Sequence, residues 1–106
     1  MEVEHQNLYG GLGIVKITIV DADLLSPFES VNHYKVEPKA SIGRHQHQVD
    51  STLLIVTSGV GEIIINGIVS VLSAQDTVMI PRQAQISLQN TSDTDAFAFW
   101  IVRGRP

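Results

Sequence analysis

His45-Gln46-His47 is the stretch of this 106-residue chain whose residue types and spacing most directly suggest chemistry. If residues 44–49 are extended, alternation puts both imidazoles on one face, with Cα atoms roughly 7 Å apart at about 3.3 Å rise per residue. Two such nitrogens can converge on a divalent ion, and imidazole suits zinc, copper, iron and nickel. The same pair can equally form a polar edge, satisfy itself by hydrogen bonds, or anchor a carboxylate, carbonyl or sugar hydroxyl in an otherwise apolar pocket. No serine, histidine and aspartate arrangement follows from spacing, and Asp21 with Asp23 and Asp93 with Asp95 read as turn formers. Gly10-Gly11-Leu12-Gly13 precedes a strand rather than opening a helix, so it is expected to be a flexible lead-in and not a phosphate loop.

The elements that must position these histidines are strands. Valine, isoleucine and threonine number 30 against 14 for leucine plus alanine, a β-branched excess. Turn signals recur too often for a long helix to fit between them. Strands are expected at 13–20, where Val15, Ile17 and Ile19 alternate with Lys16 and Thr18, and at 30–37, stopped by Pro38. A turn through Ser41 and Gly43 would lead into the strand at 44–49, and 52–57 is a near-continuous apolar run. Asn66-Gly67 between 62–65 and 68–72 predicts a type I′ hairpin, in which both turn residues take positive φ. Further strands are expected at 77–80, 86–90 and 96–102, and 21–27 as a loop. Nine or more short antiparallel strands make an all-β sandwich or barrel, in one domain spanning 1–106 with an N-terminal lead-in over 1–12.

Composition also excludes functions. Eleven acidic against seven basic residues give a net charge of −4, which repels a nucleic-acid backbone. With no cysteine there are no disulfides, thiolate metal sites or cysteine nucleophiles, and a reducing, cytoplasmic setting is expected. Residues 1–10 carry Glu2 and Glu4 without a long apolar run, so no membrane association is expected. Trp100 reads as a core or interface residue, and Arg103 and Arg105 as a solvated tail. His33 and Tyr34 point to opposite faces of their strand, so at most one of them faces an interior.

From Val31 to Val102 the chain resembles the cupin superfamily of jelly-roll barrels, the double-stranded β-helix. That family's first motif places glycine, five residues, His-x-His, three or four residues, glutamate, six residues and glycine. Here His45, His47 and Gly59 fall in place, with Lys39 at the opening glycine and Thr52 at the glutamate. The second motif places glycine, five residues, proline, one residue, glycine, two residues, histidine, three residues and asparagine. Pro81 and Asn90 match, Asp76 follows the first glycine position, and Gln75, Gln83 and Ile86 stand at the two glycines and the histidine.

The resemblance implies an all-β cupin barrel with a mouth at one end, and two readings of it stay open. In the first, the barrel binds a small organic ligand without catalysis, through His45 and His47 with Thr52, Leu54, Val56, Ile86, Leu88 and Asn90 as lining. In the second, His45 and His47 hold a divalent transition metal (Zn, Ni, Fe, Mn or Cu) for oxygenase, isomerase, decarboxylase or lyase chemistry on a small acid or ketone. The family's ligand set of three histidines and a glutamate is reduced here to that pair. A homodimer paired through sheet edges is also implied.

Overall fold

A computed structural model of the chain describes residues 2–20, 28–46 and 52–104. Ten strands run β1 (Glu2–Gln6), β2 (Ile14–Ile19), β3 (Phe28–Val36), β4 (Ser41–Gln46), β5 (Thr52–Ser58), β6 (Val60–Ile65), β7 (Ile68–Ser73), β8 (Thr77–Ile80), β9 (Gln85–Gln89) and β10 (Phe97–Gly104). They form a six-stranded sheet ordered β1-β2-β3-β10-β5-β8 and a four-stranded sheet ordered β4-β9-β6-β7, with every pairing antiparallel. This is an all-β jelly roll, the architecture that the resemblance implies. No helix among the described residues is long and apolar enough to cross a membrane.

Alternation makes the core. Val15 and Ile17, Val36, Leu54 and Val56, and Phe97, Phe99 and Ile101 project from the larger sheet onto Ile42, Ile63, Leu72, Ile86 and Leu88 of the smaller one. The rings of Phe97 and Phe99 lie 5.1 Å apart, and Tyr34 stacks on Phe99 at 5.3 Å, which places Tyr34 inside the barrel. His33 faces out, edge-on to Trp100 at 4.8 Å and with Nε2 3.3 Å from the Thr57 hydroxyl. Burial, and then the Lys35 charge, lower its pKa.

The sequence reading needs two adjustments here. Residues 2–6, read as part of a lead-in, pair with β2, where Glu4 lies opposite Lys16 and joins it in an ion pair. Ser41 and Gly43, read as a turn, belong to β4, whose register shifts between Ile42 and His45. The chain turns earlier, at Lys39, because Ser41 exchanges hydrogen bonds with Leu12 and is held in the sheet. The expected loop at 21–27 and the second half of the strand at 44–49 lie outside the described residues.

The hairpin forms as the Asn-Gly pair requires, with φ of 49° at Asn66 and 83° at Gly67. Asn66 then clips the tip to β9 through bonds between its backbone N–H and Gln85 O and between its Oδ1 and Gln85 N–H. The positions where the resembled family carries glycine are equally telling. Lys39, Gln75 and Gln83 have φ of 63°, 76° and 63°, so the backbone keeps the left-handed turns although the glycines are gone. A side chain in that region costs about 1–2 kcal/mol.

Gln75→Gly and Gln83→Gly are therefore expected to stabilise the fold by about 0.5–1 kcal/mol each, after the entropy glycine adds to the unfolded chain is subtracted. Urea denaturation reads this as a raised midpoint at constant slope, and a lowered midpoint would contradict it. Asn90, 2% exposed, donates its amide to the carbonyls of Val36, Glu37 and Asp95 and accepts from Ser92 N–H. Asn90→Ala should cost about 2–4 kcal/mol by leaving these groups unpaired, and a loss below about 1 kcal/mol in the same assay would overturn that role.

Candidate functional site

Gly43 determines what covers the barrel mouth. A Cβ there would collide with the carbonyl oxygen of Tyr9, and one at Gly11 with that of Ser41, so two backbones touch where side chains are absent. The segment read as a flexible lead-in is thereby docked on β4. It is tied there by bonds between Leu12 and Ser41 and closed by Asn7 N–H to Gly13 O at 2.9 Å. A single turn over Leu8–Gly10 holds Tyr9 in the left-handed region at φ 52°, an uncommon conformation for a bulky residue. Its ring lies flat on the imidazole of His45, centroids 4.0 Å apart and 14° from parallel, while remaining 59% exposed.

Beneath this stack is a cavity of about 30 Å³. Leu8, Ile42, Ile80, Ile86, Leu88 and Ile101 form its apolar walls, and Tyr9, Tyr34, His45 and Arg103 supply the polar atoms. Its volume lies an order of magnitude below the roughly 300–1,000 Å³ of ordinary ligand pockets and suits a group of a few atoms. A larger depression of about 370 Å³ lies beside the hairpin, where Arg44 Nε donates to Gln85 Oε1 at 3.3 Å. The mouth is the better candidate because one of its lining groups, the Arg103 Nε, is buried without a hydrogen-bond partner.

His45 Nδ1 lies 2.9 Å from Gly43 O, so that nitrogen carries the proton in the neutral ring and Nε2 is left with the lone pair. Burial pushes the Tyr34 phenol up, with the neighbouring Arg103 charge opposing the rise and Tyr9 adding to it. Arg103 is part of β10 and not a solvated tail. It follows Phe97, Phe99 and Ile101 on the inward face, and its Nε is buried with no hydrogen-bond partner. Asn32 lies opposite Ile101 and so diagonal to Arg103, and its Oδ1 is also buried without a partner.

The residues named from sequence divide accordingly. His45, Ile86 and Leu88 border the cavity, with Ile86 directly across from His45 in the β4–β9 pairing. Thr52, 1% exposed, is the β5 partner of Arg103, while Leu54 and Val56 continue along that strand into solid core. Asn90 is four residues from Ile86, about 13 Å along the strand, and its amide serves backbone groups and not the mouth. His47 lies outside the described residues. Of His33 and Tyr34, which the sequence left as alternatives for an interior position, Tyr34 lines the cavity; Tyr9 and Arg103 were absent from the sequence-derived set, and the period-2 run from Phe97 to Arg103 was the signal for the latter.

A metal ion is what the resembled family would place here. Among the described residues no three histidine, cysteine, aspartate or glutamate side chains come together. At the family's ligand positions Thr52 offers one hydroxyl and Ile86 no donor, whereas stable sites use three or four protein groups. This donor set does not fit a firmly held divalent ion.

Comparison with known proteins agrees with the fold. The chain is similar to a predicted oxalate decarboxylase from Thermotoga maritima, at 21% identity and a TM-score of 0.89, covering 99% of this chain and 92% of that one. A cupin 2 conserved barrel domain protein from Rhodopseudomonas palustris matches at 13% identity and a TM-score of 0.81, covering 100% and 72%. Another, from Salinispora arenicola, matches at 22% and 0.72, covering 83% and 73%. No curated protein matches the sequence. The sequence model of the cupin domain family matches residues 32–102, about two thirds of the chain, and with the jelly roll around it this shows that the protein belongs to the cupin family.

Proposed function

We propose that this cupin binds a small organic molecule at the barrel mouth, between Tyr9 and His45 above and Ile86 and Leu88 below. The observation that carries the reading is the cavity itself, with four polar residues at one end of an aliphatic chamber and a ring stack over it. Such a chamber gives shape through the aliphatic walls and orientation through a few polar atoms. The lone pair on His45 Nε2 can accept a hydrogen bond, and the Tyr34 hydroxyl can donate one. The volume limits what enters to a few heavy atoms, unless the Tyr9 turn lifts and admits a longer ligand. That turn is held over the mouth by the Gly11–Gly43 backbone contact, the Leu12–Ser41 hydrogen bonds and the Tyr9–His45 stack, so lifting it must break each of them.

The metal-dependent alternative has only a hydroxyl at Thr52 and no donor at Ile86, and the binding reading needs neither. The proposal also includes a homodimer. Strand β7 ends the smaller sheet with Ile68, Val69 and Val71 all exposed, a flat apolar edge of the kind that invites pairing with another copy.

Methyl NMR on the full chain tests the binding site with the neutral probes acetone and 2-propanol. Saturable shifts confined to Ile80, Ile86 and Leu88 are expected, and Ile86→Phe, which fills the cavity, should abolish them. Unmoved methyls would overturn the reading, as would purified protein carrying one transition metal per chain that disappears in His45→Ala. Light scattering tests the pairing: a dimeric mass at micromolar concentration, shifted to monomer by Val71→Lys, is expected, and a monomeric wild type would refute it.

A further inference from the structure

Two polar residues on the inner face of the larger sheet line the mouth, and a third stands on the same face. Arg103 and Tyr34 line the cavity, and Asn32 stands on the same inward row as Tyr34, about 7 Å diagonally from Arg103. The Nε of Arg103 and the Oδ1 of Asn32 are both buried and unpartnered. The ion pairs among the described residues use Lys16 and Lys39 as cations, and no carboxylate of those residues comes within 4 Å of Arg103. Arg103 is half-buried, and its Nε is the part held away from water; a charged donor held there without an acceptor is unfavourable.

We infer that the mouth cavity is a carboxylate site, with Arg103 as its counter-ion and specificity-determining residue and the Tyr34 hydroxyl as second donor. The inference rests on the mouth being a ligand site and names the class of ligand it takes. A carboxylate matches the planar fork of donors on a guanidinium, and charge-assisted hydrogen bonds of this kind are about twice as strong as neutral ones. The cavity volume of about 30 Å³ selects a small acid over a phosphate ester or a sugar acid. The aliphatic walls leave Arg103 as the one cation lining this space whose charge does not depend on pH. Asn32 adds an acceptor nearby for a hydroxyl or amino group carried by that acid. A structural role for Arg103 predicts the reverse energetics, since removing a guanidinium that held the barrel together would destabilise it.

The test titrates the full-length protein with acetate and with its neutral isostere acetamide, following the Ile80, Ile86 and Leu88 methyls. Acetate should bind at least tenfold more tightly than acetamide, and Arg103→Gln should lose at least tenfold of the acetate affinity. Lys35→Gln, on the exposed outer face, should lose none, which separates local pairing from net charge. Tyr34→Phe, which keeps the ring stacked on Phe99, should weaken acetate several-fold. In the absence of ligand Arg103→Met should melt higher than the wild type, and acetate should no longer raise its melting temperature. Equal binding of acetate and acetamide, unchanged acetate affinity in Arg103→Gln, or a lowered melting temperature in Arg103→Met would each overturn the carboxylate site. If acetate fails while acetone or 2-propanol still moves the same methyls, the carboxylate inference falls and the binding site stands. If no probe moves them, both fall.

Discussion

Strand β10 is hydrogen-bonded on both sides, to β3 and to β5, and this double pairing is the constraint on which the site depends. A strand fixed at both edges cannot change register without turning every side chain to the other face. Phe97, Phe99 and Ile101 occupy the core, so the next inward position is committed, and Arg103 occupies it. Its side chain enters the barrel mouth for the same reason that the phenylalanines enter the core. The fold thus places a cation at the end of an apolar row with its Nε buried and unpartnered, and that is the observation behind the proposed ligand site.

The N-terminal turn supplies the other wall. Its attachment rests on two glycines in contact, Gly11 and Gly43, and on the exchange of hydrogen bonds between Leu12 and Ser41. The docking carries the Tyr9 ring onto His45, which screens one face of the imidazole from water while Gly43 O accepts a hydrogen bond from its Nδ1–H. Both sheets therefore contribute to one small chamber, His45, Ile86 and Leu88 from the smaller and Tyr34, Ile101 and Arg103 from the larger, with a turn outside the barrel closing the top.

The barrel was legible in the sequence because its signals are local. The Asn66-Gly67 pair, the alternation at Val15 and Ile17, and the family motif around His45 each depend on residues close together in the chain. The strand at 2–6 was not legible, since its pairing with β2 depends on partners across the sheet and its own residues alternate polar with weakly apolar. Left-handed turns at Lys39, Gln75 and Gln83 were hidden by residue type, although the motif spacing pointed to them. Most of the cavity lining was also hidden. Ile86 and Leu88 followed from the motif, but Tyr9 reaches His45 only through a backbone contact that no pattern records. Arg103 was read by its nearness to the chain end, and the alternation that placed it inside was in view. Asn90, taken for a site residue, acts where buried amides usually act, holding a turn.

The account predicts that the mouth is a site and that a carboxylate fills it. A crystal structure of the protein grown in acetate, at a resolution that places waters and small anions, examines that claim most directly. An acetate with an oxygen about 3 Å from Arg103 Nε, lying over Ile86 and beneath the Tyr9 ring, is the expected result. Arg103 turned out to solvent, with the chamber closed by side chains or holding a metal ion on His45, would contradict it.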